Sequence, residues 1–262
     1  MSFLEHLEDL RKRIIYSGVA VLTGMGIAFG FMGQLAAFVL APTRRALPPG
    51  SELIFTRPSE TFAVALDIAL IAGLVMAAPV IMYQVWLFVA PALYANEKKF
   101  AVPFVALAAL GTAAGAAFAH YLLFPAMISF FAIFTFAEIK FMPRVEEVFT
   151  LYLRLLMAMI LVFQIPTLAF FFAKMRLVTA RFLWVKIKYA LLIILVAAAI
   201  LTPSPDPWNQ VLVATPMFGL YLIGIVAAWL GQPKRPSNQA GLRLVFTAAI
   251  IDQALRQQRQ GR

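Results

Sequence analysis

The chain has 262 residues, 63% of them hydrophobic and only 13% charged, with a formal net charge of +10. Soluble domains are typically about 45–50% apolar and about 25% charged, so this balance excludes an ordinary water-soluble fold, a disordered chain and a fibre. A polytopic membrane protein remains. Cysteine is absent and the two histidines, His6 and His120, are far apart in sequence, so no Cys-based site and no His cluster for a metal is expected. No cofactor is expected either, and the chain contains no GxxxxGK[ST] phosphate loop, so ATP is not the direct energy source.

Residues 1–13 read as an amphipathic surface helix. Ser2 and Glu5 have capping-box spacing, and Phe3, Leu7, Leu10 and Ile14 share one helical face. The opposite face carries Glu5, Glu8, Asp9, Arg11, Lys12 and Arg13. It is either a solvated face laced by Glu8–Lys12 and Asp9–Arg13 pairs, or part of a binding surface.

Six apolar intervals follow, with spans expected at about 14–40, 65–93, 101–124, 151–173, 187–201 and 211–230. The first is too long for a signal-peptide core of about 7–15 residues and reads as an uncleaved span. The fifth is strongly apolar over only Tyr189–Leu201, too short for a hydrocarbon core of about 30 Å, so it is either mismatched with the bilayer or buried in the bundle. Most of the 22 lysines and arginines fall on the side of the termini, which places both termini in the cytoplasm and accounts for the basic charge without nucleic acid.

Polar candidates inside the spans are sparse. Gln164 in the fourth and His120 in the third serve either a helix–helix hydrogen bond or a functional contact. Gly26/Gly30 and Gly111/Gly115 have the spacing of close helix contacts. Pro79, Pro91, Pro103, Pro125, Pro166 and Pro216 suggest kinked packing. On the cytoplasmic side, Glu97 follows the second span closely and precedes two lysines. Its carboxylate is either an ordinary hairpin charge or a reader of guanidinium groups, which it can bind through two parallel bonds. No nucleophile, base and carboxylate combine into a catalytic constellation, so no enzyme is expected.

The segments HLEDLRKRI (6–14), YQVWLFVAPALYANEKK (83–99), LTPSPDPWNQ (201–210) and ATPMFGLY (214–221) resemble the TatC family, the multispanning core of the twin-arginine protein translocase. The resemblance runs from about Ser2 to Leu230. It implies an all-α integral membrane protein of six transmembrane helices in a cup-shaped bundle, which binds signal peptides with paired arginines and helps export folded proteins, driven by the proton gradient. It implies signal-peptide contacts at Glu97, Asp9, Arg11 and the aromatic Phe88, with Glu8 able to supplement Asp9. It further implies extracytoplasmic functional positions at Pro42, Pro58, Glu60, Phe62 and Asp206. Gln164 and Leu222 stand where the family usually has intramembrane glutamates. The implied partners are the single-span subunits TatA and TatB, together with membrane lipid and further copies of the chain in a receptor complex; the fifth and sixth spans are the expected docking surface for the single-span subunits. The implied location is the bacterial inner membrane. Residues 232–262 form a cytoplasmic tail outside the motifs, with an amphipathic stretch at Leu242–Leu255. The rival reading from composition alone is a secondary transporter of a small solute, against which stands the lack of an evident inverted repeat or charged midplane.

Overall fold

The computed structural model describes residues 3–46, 51–89, 101–133, 142–202 and 206–232. Ser2, Pro48–Gly50, Pro91, Glu97 and the 233–262 tail therefore lie outside the described residues. Within them the chain is helical: α1 (Phe3–Gly30), α2 (Met32–Ala46), α3 (Pro58–Val89), α4 (Ala101–Phe118), a π-helical turn (Ala119–Leu123), α5 (Phe124–Ile133), α6 (Val145–Val162), α7 (Ile165–Lys174), α8 (Ala180–Val185), α9 (Ile187–Leu201) and α10 (Pro207–Gly231). Five helical stretches are long and apolar enough to cross a membrane: Leu4–Gly30, Pro58–Phe88, Val102–Ile133, Val145–Lys174 and Pro207–Gly231. The shorter apolar helix Ile187–Leu201 is the expected fifth span.

Helix boundaries differ from expectation where local chemistry overrides apolar length. Residues 3–13, expected as a separate surface helix, continue unbroken into the first span as α1. That helix ends at Gly30, where the poor helix propensity of glycine coincides with a turn at Phe31, so the expected 14–40 span is divided between α1 and α2. The third span runs on to Ile133 rather than stopping near 124. Pro125 has no N–H to continue the α-helical ladder, and the chain absorbs this by widening to a π turn in which Phe124 N–H donates to Ala119 O. Pro166 acts similarly in the fourth span: it cannot donate to Val162, and the helix breaks into α6 and α7 at Phe163–Gln164.

The core centres on α6, whose Phe149, Leu155 and Met159 are fully buried against Phe124, Met127 and Val213 from its neighbours. Backbones approach through glycine. A Cβ at Gly115 would stand 2.8 Å from Met159 O, and one at Gly231 2.5 Å from Phe170 O. Gly26 and Gly30, by contrast, have nothing within 4 Å where a Cβ would be built, so that pair makes no close contact among the described residues. The tightest approach of the first span comes from a glycine with no partner motif, Gly24, whose Cβ would meet Gly73 of α3.

Candidate functional site

α1 and α3 run antiparallel, which carries the N-terminal residues of one to the C-terminal residues of the other. The His6 ring stacks on Phe88 with centroids 4.4 Å apart. Seven residues on, two helical turns along the same face, Arg13 Nε donates to Asp9 Oδ1 at 3.1 Å while its Nη1 donates to Gln84 Oε1 at 3.2 Å. Asp9 and Phe88, two expected signal-peptide contacts, are thus held on one rim of the bundle. Glu8 and Arg11 are exposed beside them. Of the two expected i,i+4 pairs, Asp9–Arg13 forms and Glu8–Lys12 does not appear among the described ion pairs.

Beneath this rim an aromatic cluster ties three helices together. Trp86 of α3 packs on Phe104 of α4 at 5.2 Å, and Phe104 meets Phe171 of α7 edge-on at 4.9 Å. All three are buried. The segment containing Glu97 joins α3 to α4, so its two anchors are fixed to each other by the Trp86–Phe104 contact.

The other end of α3 carries the second group of expected residues. Pro58 opens the helix and Glu60 is 2% exposed. The Glu60 carboxylate accepts from Thr56 Oγ1 at 2.7 Å, from Thr56 N at 3.2 Å and from Arg144 Nη2 at 2.5 Å. Arg144 also donates to Glu146 and Glu147, and its bond to Glu60 holds the guanidinium protonated above its ordinary range. Backbone bonds stitch the same place: Ile54 N to Pro143 O at 3.2 Å and Val145 N to Ile54 O at 3.1 Å. Pro42 is buried beside the buried Thr43, whereas Phe62 is 67% exposed on α3. Asp206 caps α10, accepting from Asn209 N at 2.7 Å and from Asn209 Nδ2 at 2.9 Å. The structure does not bring Asp206 together with Glu60 through any described bond.

Sequence reasoning missed Arg144 as the partner of Glu60. The two are separated by 84 positions. Only the compensation that a buried carboxylate requires could have prompted a search for a cation elsewhere in the chain.

Between the two ends, Gln164 sits at the α6–α7 break and is buried. Its Nε2 donates to Ala108 O and to Thr112 Oγ1, both at 3.0 Å on α4. The helix–helix alternative raised by the sequence is the one the geometry supports. His120 lies in the π turn, buried, with Nδ1 3.1 Å from the Tyr152 hydroxyl and its ring stacked on Phe38 at 4.2 Å. Leu222 of α10 is on the exposed side. Among the described residues no group of three or more His, Cys, Asp or Glu is placed to hold a metal ion.

The family model described as Sec-independent protein translocase protein (TatC) matches residues 5–216. The chain belongs to the TatC family. It is 37% identical over 237 residues to the Sec-independent protein translocase protein TatC of Koribacter versatilis, spanning 89% of this chain and 87% of that one. The TatC of Carboxydothermus hydrogenoformans is 34% identical over 239 residues, with 91% of this chain and 97% of that one aligned. A solved structure described as the twin arginine translocase receptor TatC superposes with a TM-score of 0.76 at 33% identity, covering 86% of this chain and 99% of that one. This TatC chain is therefore an all-α, multi-pass membrane protein of a translocase family rather than of an enzyme family.

Proposed function

We propose that this TatC chain is the receptor of the twin-arginine translocase, and that it reads paired arginines of signal peptides at the α1/α3 rim. The observation that carries the reading is the convergence of Asp9 and Phe88 on that rim through the Arg13–Gln84 and His6–Phe88 contacts. Asp9 is exposed enough to exchange partners, since its side chain retains 20% of its accessible surface beside Arg13. A pair of this kind is worth only about 0–1 kcal/mol, so an incoming guanidinium can replace Arg13 at little cost. Glu97, nine positions after Phe88 in the sequence, supplies the second carboxylate. Two carboxylates favour arginine over lysine because the guanidinium fork bonds two oxygens at once. Phe88 and the exposed Leu4 and Leu7 offer apolar surface to the part of the signal that follows the arginines.

The chain then works as the core of an export complex for folded proteins in the bacterial inner membrane, with both termini cytoplasmic and the proton gradient as energy source. Its single-span partners, TatA and TatB, dock on α9 and α10, whose Ile193, Ile200, Ile223 and Trp229 are exposed. Pro42, Pro58, Phe62 and Asp206 act at the opposite, extracytoplasmic end in assembly or transport. There the buried Glu60 fixes the loop before α3 to the start of α6.

The deciding experiment is crosslinking of the full chain in membranes to a twin-arginine signal peptide, against a twin-lysine peptide and the Glu97→Ala variant. Capture of the arginine peptide alone, lost in Glu97→Ala, is expected. Equal capture of both peptides, indifferent to Glu97, would overturn the recognition mechanism and leave the fold untouched.

A further inference from the structure

At the Glu60–Arg144 end, a cavity of about 750 Å³ opens between the start of α3, the end of α5 and the first turns of α6. Its polar wall holds Arg57, Arg144, Arg154, Glu146 and Glu147. Its apolar wall includes Ile128, Phe131 and Leu151. Within that wall Arg144 is committed to three carboxylates, Glu60, Glu146 and Glu147. Arg57 and Arg154 form no ion pair among the described residues. Arg144 Nε is also buried without a hydrogen-bond partner there. Each of Glu146 and Glu147 uses a single oxygen toward Arg144 and keeps the other.

The cavity thus offers unspent donors and unspent acceptors side by side, on an apolar floor. Arg154 lies about 13 Å along α6 from Val145, at about 1.5 Å per residue. That depth is within a membrane-crossing helix, where a guanidinium is costly and extends along its stem toward the headgroup level; Asp67 lines a smaller cavity with Arg154 but forms no ion pair with it. Arg57 stands just before the same boundary on α3. We infer that this cavity binds the headgroup of a phosphoethanolamine lipid, with the phosphate on Arg57 and Arg154 and the ammonium at Glu146 and Glu147.

The balance of charge selects this headgroup. Among the described residues three arginines face three carboxylates, counting Glu60, and Asp67 lines a neighbouring cavity with Arg154, so these groups do not favour a purely anionic lipid over a zwitterionic one. A phosphate alone would satisfy the arginines and press against Glu146 and Glu147. A primary ammonium donates up to three hydrogen bonds and meets the spare carboxylate oxygens. A trimethylated ammonium has no N–H to donate and favours aromatic cages, whereas among the described residues Phe131 is the one aromatic ring in the wall. The first acyl segment then lies along Ile128, Phe131 and Leu151. This inference is independent of signal-peptide recognition, because the site lies at the opposite end of α3 from the Asp9–Phe88 rim.

The test is native mass spectrometry of the full chain in mild detergent, offered phosphatidylethanolamine, phosphatidylcholine or phosphatidylglycerol with identical acyl chains. Retention of the ethanolamine lipid about tenfold above each of the others is expected, which is the effect of one charge-assisted hydrogen bond. Arg57→Gln/Arg154→Gln should lose retention of all three lipids, and Arg57→Lys/Arg154→Lys should keep most of it. Glu146→Gln/Glu147→Gln should bring the ethanolamine lipid down to the choline lipid's level. Preferential retention of phosphatidylglycerol by the unaltered chain would overturn the assignment in favour of an anionic-lipid site. Equal retention of all three lipids by the unaltered chain would overturn it outright, with no variant needed. So would undiminished retention by a folded, monodisperse Arg57→Gln/Arg154→Gln variant.

Discussion

Gly24 and Gly73 bring α1 and α3 into direct backbone contact: a Cβ built on Gly24 would stand 2.8 Å from Gly73 O. A Cβ on Gly73 would be 2.5 Å from Met25 N and 2.8 Å from Val21 O. Neither obstacle is the end of a flexible side chain, so the helices must separate to admit even one methyl group. Gly73→Ala and Gly24→Ala should each cost about 1–3 kcal/mol. Gly26→Ala meets open space and should be neutral or stabilising by about 0.5–1 kcal/mol, the gain of alanine over glycine in a helix. Thermal unfolding in detergent, followed by size-exclusion fluorescence, checks the ranking. Because α1 and α3 also make the Asp9–Phe88 rim, Gly73→Ala should weaken signal-peptide capture as well.

If Asp9 reads signal arginines as proposed, Arg13 competes for it with any arginine brought by a peptide. Arg13→Gln should therefore strengthen capture of a twin-arginine peptide about two- to fivefold, the range of an exposed ion pair. Asp9→Asn should weaken it by a similar factor, and both effects should shrink in high salt. Peptide titration at two ionic strengths measures this. Unchanged affinity in both variants would remove Asp9 from the reading surface.

Gln164 reaches Ala108 O and Thr112 Oγ1 as a donor, and a carboxylate cannot do the same for a carbonyl. Gln164→Leu should destabilise by about 0.6–2 kcal/mol, the range for a polar contact between membrane helices. Gln164→Glu should keep the bond only while its carboxyl is protonated. The stability of that variant relative to the unaltered chain should therefore fall as pH rises. Unfolding temperatures of both proteins across a pH series give the answer directly.

Asp206 holds the first turn of α10 through Asn209 N and Nδ2. Asp206→Ala should cost about 0.5–2 kcal/mol, and Asp206→Ser should recover much of it by capping with a hydroxyl. If Asp206 also acts in transport, Asp206→Ser will restore the unfolding temperature without restoring export. Full recovery of both by serine would reduce its role to capping.

Glu60 and Arg144 depend on each other unequally. Removing Arg144 leaves Glu60 buried without its cation, whereas removing Glu60 leaves Arg144 with Glu146 and Glu147. Arg144→Ala should lower the unfolding temperature more than Glu60→Gln, and the double variant should lose less than the sum of the two. A four-protein cycle of unfolding temperatures tests it, and additivity would deny the coupling.

Long apolar intervals make the helices legible in the sequence, because a membrane span leaves little choice of residue. The short fifth span, Ile187–Leu201, is readable for the same reason. Register between helices is not. The spacing of Gly26 and Gly30 suggests a contact, while the contact itself uses Gly24, since which face of α1 meets α3 depends on the whole bundle. Helix ends are blurred where backbone chemistry acts inside an apolar run, as at Pro125 and Pro166. Asp9 and Phe88 follow from the family motifs, but the roles of His6 and Gln84 in joining α1 to α3 have no local signature. The Glu60–Arg144 pair is hidden because an ion pair between remote segments leaves no local pattern.

The break in the fourth span couples two positions that never touch as side chains. Pro166 interrupts the α-helical ladder at Phe163–Gln164, and a Cβ at Gly111 on α4 would lie 3.0 Å from the carbonyl oxygen of Phe163. The proline creates the irregular backbone, and the glycine makes room for it. Change at one position alters what is permitted at the other: Gly111→Ala should be harmful beside Pro166 and better tolerated in Pro166→Ala, where the span can close its ladder. The two residues are thus expected to drift as a pair, an epistasis set by one carbonyl group.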